Sequence, residues 1–251
     1  MRQPLIVGNW KMFTTAAMAR RLAADVVIGL GPEPRVRVAL CPPAPYLGVV
    51  GEVLSGTAVA LGAQNVYPET EGAVTGETGI GMLLDLGCRY VIVGHSERRH
   101  IFGEDDPFIN RKTKATLAAG LEVIACVGET PEQRRGRETR NCLEGQLAGA
   151  LAGLTAEQVR HVVVAYEPVW AIGTGVNATP EQAQEAAAEI RELVQERFGE
   201  GSARALLILD GGSVNPANAA TLMHLPDIDG GLIGHASLEA DQFLGIVRSA
   251  L

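Results

Sequence analysis

Short apolar runs recur along this chain about once every 31 residues, and each is followed by a stretch of helical period. The runs lie at 5–10, 36–40, 58–61, 90–93, 123–127, 162–166, 205–209 and 231–233. They are short and rich in Val, Ile and Leu, as buried strands are. The helical stretches are expected at 16–30, 46–54, 79–86, 110–119, 138–151, 181–198, 217–223 and 242–249. The sixth of these carries the clearest signal. Thr179, Pro180 and Gln182 fit the N-cap, first-turn and capping-box positions, and Ala183, Ala186, Ala187, Ile190, Val194 and Phe198 repeat at helical spacing. Strands that alternate with helices pair in parallel, because a parallel partner needs a long crossover. Eight such units closed on themselves make a (β/α)8 barrel of the α/β class, here one domain over residues 1–251. The competing architecture is an open, doubly wound sheet. Its glycine fingerprint is missing after the first strand, where Gly8-Asn9-Trp10-Lys11 stands instead of GxGxxG.

Charge and cysteine usage narrow the function classes. The formal charge is −8, from 21 basic and 29 acidic residues, which argues against nucleic acid as a partner. An anionic substrate would have to be held by local groups against that background. No apolar run reaches the roughly 18 residues a membrane span needs. Met1-Arg2-Gln3-Pro4 leads straight into a strand-like run without signal-peptide architecture, so a cytoplasmic location is expected. Cys41, Cys88, Cys126 and Cys142 are widely spaced, with no metal-ligand pattern, and read as reduced thiols.

In a barrel of this kind the chemistry stands at the carboxyl ends of the strands. Asn9 and Lys11 follow the first strand, and a lysine there offers a compact positive charge for an anion. Gly94-His95-Ser96-Glu97-Arg98-Arg99 follows the fourth. Ser96 there reads as the cap of a short helix. The positive end of that helix would disfavour an imidazolium at His95 and keep the ring neutral, able to donate a hydrogen bond to a carbonyl. Glu167 ends the sixth strand, with Pro168 fixing the backbone behind it and Gly173 and Gly175 opening a loop that can change shape. A carboxylate on a firm strand end beside a movable flap suits proton abstraction under a lid. Gly211-Gly212-Ser213-Val214 and Gly234-His235-Ala236-Ser237 follow strands seven and eight, where small residues let backbone N–H groups converge on a phosphate. Each feature has an ordinary alternative when taken singly: a solvated glutamate or lysine, a structural histidine, a flexible Gly-Gly-Ser loop.

Taken together, Asn9-Trp10-Lys11-Met12, Val93 to Arg99, Tyr166 to Gly175 and Gly211-Gly212-Ser213-Val214 resemble the signatures of the triosephosphate isomerase family, in that family's order and over essentially the whole chain. The resemblance implies a TIM barrel that interconverts dihydroxyacetone phosphate and D-glyceraldehyde 3-phosphate through an enediolate, in glycolysis and gluconeogenesis, with no metal or organic cofactor. It implies Glu167 as the base that moves the carbon proton and a neutral His95 that polarises the carbonyl. Lys11 then balances the anionic charge, Asn9 bonds the substrate oxygens and Glu97 positions Lys11. The backbone of Gly173, Ser213, Gly234 and His235 would hold the phosphate, with 168–178 as the lid. The long loop 64–77 would reach into a second subunit of a homodimer, bringing Thr75 near that subunit's site, with Glu77 paired to Arg98 across the interface. Tuned acid/base pairs, lid closure and rapid turnover in this enzyme are general reference points for catalysis. An isomerase acting on a longer ketose, such as a tetrulose phosphate, is the alternative reading.

Some positions depart from the family's pattern. Asp210 stands where a tyrosine that secures the closed lid, near Ala178, is usual. Val176-Asn177-Ala178 replaces Lys-Thr-Ala, and His235 replaces a glycine of the phosphate loop. At His235 a positive φ would be costly. Phe13 occupies a commonly polar position, and Gly79-Ile80-Gly81 replaces Ser-Pro-Ala. These changes are expected to weaken lid closure or phosphate grip while leaving the proton-transfer groups intact.

Overall fold

The computed structural model describes residues 2–31, 35–171 and 178–251. Eight parallel strands close into a ring in chain order: β1 (Leu5–Asn9), β2 (Arg37–Cys41), β3 (Val59–Ala63), β4 (Tyr90–Val93), β5 (Glu122–Val127), β6 (Val162–Tyr166), β7 (Leu207–Asp210) and β8 (Gly230–Ile233). The seam is β1 against β8, with Leu5 opposite Gly230 and Gly8 opposite Ile233. The expected alternation and closure are therefore present, with strand limits moved by a residue or two.

Alternation along each strand divides the core in two. Leu5, Val7, Ala39, Ile92, Ile124, Val163, Ala165, Leu209 and Leu232 fill the barrel's interior. Ile6, Val38, Leu40, Val91, Val93, Val123, Val164 and Ile208 face outward and are covered by the helices. Both faces being buried explains why the strands read as continuous apolar runs. Within the strands, Gly230 and Gly62 have no room for a side chain. Gly230 has φ +145°, and a Cβ there would sit 1.9 Å from the Leu5 carbonyl oxygen across the seam. A Cβ at Gly62 would meet the Cys41 sulfur at 2.5 Å. This glycine lies inside β3, which runs to Ala63 instead of stopping at Leu61.

The helices are α1 (Ala16–Leu30), α2 (Leu47–Leu54), α3 (Ile80–Asp85), α4 (Ser96–His100), α5 (Asp106–Ala118), α6 (Pro131–Arg135), α7 (Thr139–Ala150), α8 (Ala156–Val159), α9 (Pro180–Phe198), α10 (Glu200–Ala205), α11 (Ala219–Met223) and α12 (Ala240–Ser249). The capping box of α9 forms as read: Gln182 N–H donates to Thr179 Oγ1, and Thr179 N–H to the Gln182 side-chain oxygen. By contrast, α5 starts four residues before the expected Asn110, because Asp105 caps it by accepting from Phe108 N–H, with Pro107 in the first turn. The short helices α6, α8 and α10 were not expected. The first two carry Thr–Gln capping boxes at Thr130/Gln133 and Thr155/Gln158.

Loop 64–77 leaves β3 and is pinned at its base. Tyr67 N–H donates to Thr78 O (2.8 Å) and Ile80 N–H to Glu69 O (3.0 Å). The departure at Gly79 has a steric reason, since a Cβ there would meet the Thr70 carbonyl oxygen at 2.7 Å. Among the described residues no helix is long and apolar enough to cross a membrane.

Candidate active site

The carboxyl ends of the strands open onto a cavity of about 830 Å³ lined by Asn9, Lys11, His95, Glu97, Glu167 and the loops after β7 and β8. Glu167 follows β6 directly and is buried. Its position is locked by neighbouring backbone: Glu167 N–H donates to Val127 O (2.7 Å), and a Cβ on Gly128 would fall 1.8 Å from the Glu167 carbonyl oxygen. The carboxylate spans two residues of the β4 loop. Its Oε2 accepts from Ser96 N–H at 2.8 Å, and its Oε1 lies 2.9 Å from His95 Nε2.

His95 occupies the N-cap of α4 itself, and Ser96 is the first helical residue, which corrects the expectation that Ser96 would be the cap. The imidazole Nδ1 accepts from Glu97 N–H at 3.2 Å, which places the proton of a neutral ring on Nε2. The expectation of a neutral ring meets an opposing force here. Burial disfavours the imidazolium, but the charge and hydrogen bond of Glu167 outweigh it, helped by Glu97, and the pKa lies above its ordinary value. For Glu167, burial favours the neutral acid, yet His95, the Ser96 amide and Lys11 hold the pKa below the usual carboxylate range. The two shifts share one cause, the contact between the groups.

Lys11 has φ +49°, uncommon for a residue with a side chain. Side-chain bonds hold the turn: Lys11 N–H donates to Asn9 Oδ1 (3.0 Å), and Gln64 Nε2 donates to Lys11 O (2.8 Å). Its Nζ donates to Glu97 Oε1 at 2.6 Å, and Glu97 Oε2 lies 3.5 Å from His95 Nδ1. Lys11, Glu97, His95 and Glu167 thus form one chain of charged and hydrogen-bonding groups drawn from β1, β4 and β6.

The opposite rim is built differently. Ser213 and the Gly234–His235 pair line the cavity there. Gly234 lies against Lys11, its Cβ position 3.5 Å from Lys11 Cε. His235 begins a 3₁₀ turn, His235–Leu238, and is not among the positive-φ residues, so the strain feared there is absent. Its ring meets Phe13 edge-on, centroids 6.5 Å apart at 77°, so two of the atypical residues contact each other. Asp210 does not reach toward Ala178 in any hydrogen bond among the described residues; its Oδ1 accepts from Gly212 N–H at 2.7 Å. Burial pushes its carboxyl up to about 6 despite that bond. Gly173, with Val176, Asn177 and most of the expected lid, lies outside the described residues.

Sequence reasoning missed Glu129 and Cys126. Glu129 is fully buried beside the start of the lid segment. It accepts from Tyr166 Oη at 3.1 Å and Trp170 Nε1 at 2.9 Å, while the Arg134 guanidinium lies over the Trp170 ring. An acid next to the strand end and just before the Thr130-Pro131 helix start was the available signal. The thiol of Cys126 is pushed well up by burial and by the charge of Glu167, so it stays protonated behind the carboxylate. The expected partner of Glu77 is engaged within its own chain: Arg98 Nε donates to Glu104 Oε1 at 2.6 Å, and Lys112 Nζ shares that oxygen at 2.5 Å.

Comparison with known proteins agrees with this geometry. A family model described as Triosephosphate isomerase matches residues 4–250. The triosephosphate isomerase of Roseiflexus sp. (strain RS-1) is 52% identical over 248 residues, covering 99% of this chain and 98% of that protein. That of Carboxydothermus hydrogenoformans is 49% identical over 251 residues, covering 100% of both, and that of Herpetosiphon aurantiacus is 51% identical over 252 residues, covering 99% of both.

Proposed function

The chain belongs to the triosephosphate isomerase family, and on that premise we propose that it interconverts dihydroxyacetone phosphate and D-glyceraldehyde 3-phosphate by proton transfer through an enediolate, with Glu167 and His95 as the proton-moving pair. The observation that carries the assignment of roles is the 2.9 Å approach of Glu167 Oε1 to His95 Nε2 at the floor of a cavity that Lys11 also lines.

Glu167 removes the proton from the carbon beside the carbonyl and returns it to the neighbouring carbon. To reach carbon it must give up the Ser96 amide and the His95 ring. Its departure removes the strongest force that favours an imidazolium, and burial and the α4 N-terminus then keep the ring neutral. Neutral His95, with its proton on Nε2, donates to the substrate carbonyl oxygen and carries protons between the two oxygens. Lys11 offsets the charge of the phosphate and the enediolate, Asn9 bonds the substrate oxygens, and Glu97 fixes the ammonium. The phosphate is held by backbone N–H groups of Gly173, Ser213, Gly234 and His235. The segment 168–178 acts as the lid that excludes water and prevents loss of phosphate from the enediolate.

A homodimer completes the site in this reading. Met12 is 94% exposed and Ile101 72%, beside Phe13 and Phe102 at the cavity mouth, an apolar patch that a second copy would cover. Loop 64–77 then brings Thr75 of one protomer near Asn9, Lys11 and His95 of its partner. The protein is expected to work in the cytoplasm. A coupled assay with purified chain tests the function: turnover of the three-carbon phosphates should far exceed that of a tetrulose phosphate, and absence of triose phosphate turnover would refute it. Sedimentation at micromolar concentration should give twice the chain mass.

A further inference from the structure

We infer that Asp210 is a positioning residue for the phosphate end of the site: by accepting the Gly212 N–H it leaves the Ser213 N–H as the donor that the β7 turn presents to an anion. The inference rests on the isomerase reading above. An account of the backbone donors along the turn leads to it. Gly211 N–H donates to Tyr166 O at 2.7 Å, and Gly212 N–H to Asp210 Oδ1 at 2.7 Å. Val214 N–H donates to Gly212 O at 3.0 Å, and Asn215 N–H to Asn218 Oδ1 at 2.8 Å. Among the described residues, the Ser213 N–H alone of these five has no acceptor, and Ser213 lines the cavity.

The turn has little freedom while that arrangement lasts. Tyr166 and Asp210 are paired across β6 and β7, so the turn is anchored beside Glu167. A Cβ on Gly211 would lie 2.9 Å from Glu167 Cγ, and one on Gly212 3.0 Å from Asp210 Oδ1 and 3.4 Å from Pro168 Cγ. The Ser213 carbonyl accepts from Asn218 Nδ2 at 2.9 Å, fixing the far side of its peptide unit. Without an acceptor at position 210, the Gly212 N–H is released, the two glycines regain their rotation, and the Ser213 N–H loses its aim. Asp210 is buried and does not itself line the cavity, so it works from behind the turn. The acceptor oxygen is what matters here; the negative charge, so near an anion site, is a cost.

The test uses Asp210→Val, which is of comparable size and suits a strand but has no acceptor, and Asp210→Asn, which keeps the acceptor and removes the charge. In the full-length enzyme, Asp210→Val is expected to raise KM for glyceraldehyde 3-phosphate and the inhibition constant of inorganic phosphate about tenfold, with kcat changed less than about threefold. Asp210→Asn should match or better the wild type in both. An unchanged KM and inhibition constant in Asp210→Val, or an Asp210→Asn variant as impaired as Asp210→Val, overturns the inference. If Asp210→Val does not fold, Asp210→Ala carries the same expectation. A wild-type chain without isomerase activity would sink the functional reading instead; an active wild type with an indifferent Val variant sinks only this one.

Discussion

The two halves of the cavity rim do their work with different parts of the polypeptide. On the β4–β6 side, His95, Glu97 and Glu167, joined by Lys11 from the end of β1, touch one another within a few ångströms, and Glu167 and His95 are almost wholly buried. On the β7–β8 side, the turn after β7 carries two glycines and a serine, Asp210 bonds back to the Gly212 amide, and the large side chain after β8, His235, packs on Phe13. Side-chain chemistry needs fixed distances between atoms at the ends of long levers, so that half is tightly bonded. In the proposed reading the β7–β8 half is an anion cradle, which needs N–H vectors that any residue but proline supplies, so sequence change there is expected to matter little as long as the turn holds its shape.

The difference can be broken or sharpened experimentally. The largest effect is expected from Glu167→Gln, which should lower kcat by on the order of 10²–10⁴-fold with the fold intact; retention of a tenth of the activity would mean the β4–β6 side does not carry the proton transfer. Asp210→Asn comes next, read as stability. Because burial raises the folded-state pKa from 3.8 to about 6, ionising Asp210 costs the folded state nothing below pH 4, increasingly more up to about 6, and about 3 kcal/mol above that. The Asn variant should therefore unfold at higher urea than the wild type at pH 8, with the gap closing by about pH 4. A gap independent of pH would refute the buried charge. Gly211→Ala reaches from one half into the other, since its methyl group would press on Glu167 Cγ; kcat/KM should fall about tenfold through kcat, where a pure cradle defect would act on KM. Smallest of all, Ser213→Ala removes a hydroxyl whose only bond among the described residues is a 3.4 Å contact to Ala171 O, and KM should move less than about threefold.

The same division governed what could be read in advance. The strands were legible because a barrel strand buried on both faces must be apolar throughout, and Glu167, His95 and Lys11 because each stands at a strand end with an unusual neighbour. The helix of Pro180–Phe198 was legible from its cap. Glu129 was not, because its partners Tyr166 and Trp170 come from another unit of the chain. The direction of the Asp210 side chain was missed for a related reason: the sequence names the residue that departs from a pattern but not the amide it turns toward. His235 was judged by a backbone conformation it does not adopt, and its contact with Phe13, more than 200 positions away, has no local signature.

The seam between Leu5 and Gly230 has a consequence for how such a chain is made. During synthesis β1 is made long before β8, its partner across the seam, so that edge of the nascent sheet stays bare while the seven strands β1 to β7 are produced. Ring closure must wait for Gly230–Ile233, and a polypeptide that stops short of that segment has no strand with which to complete the circle.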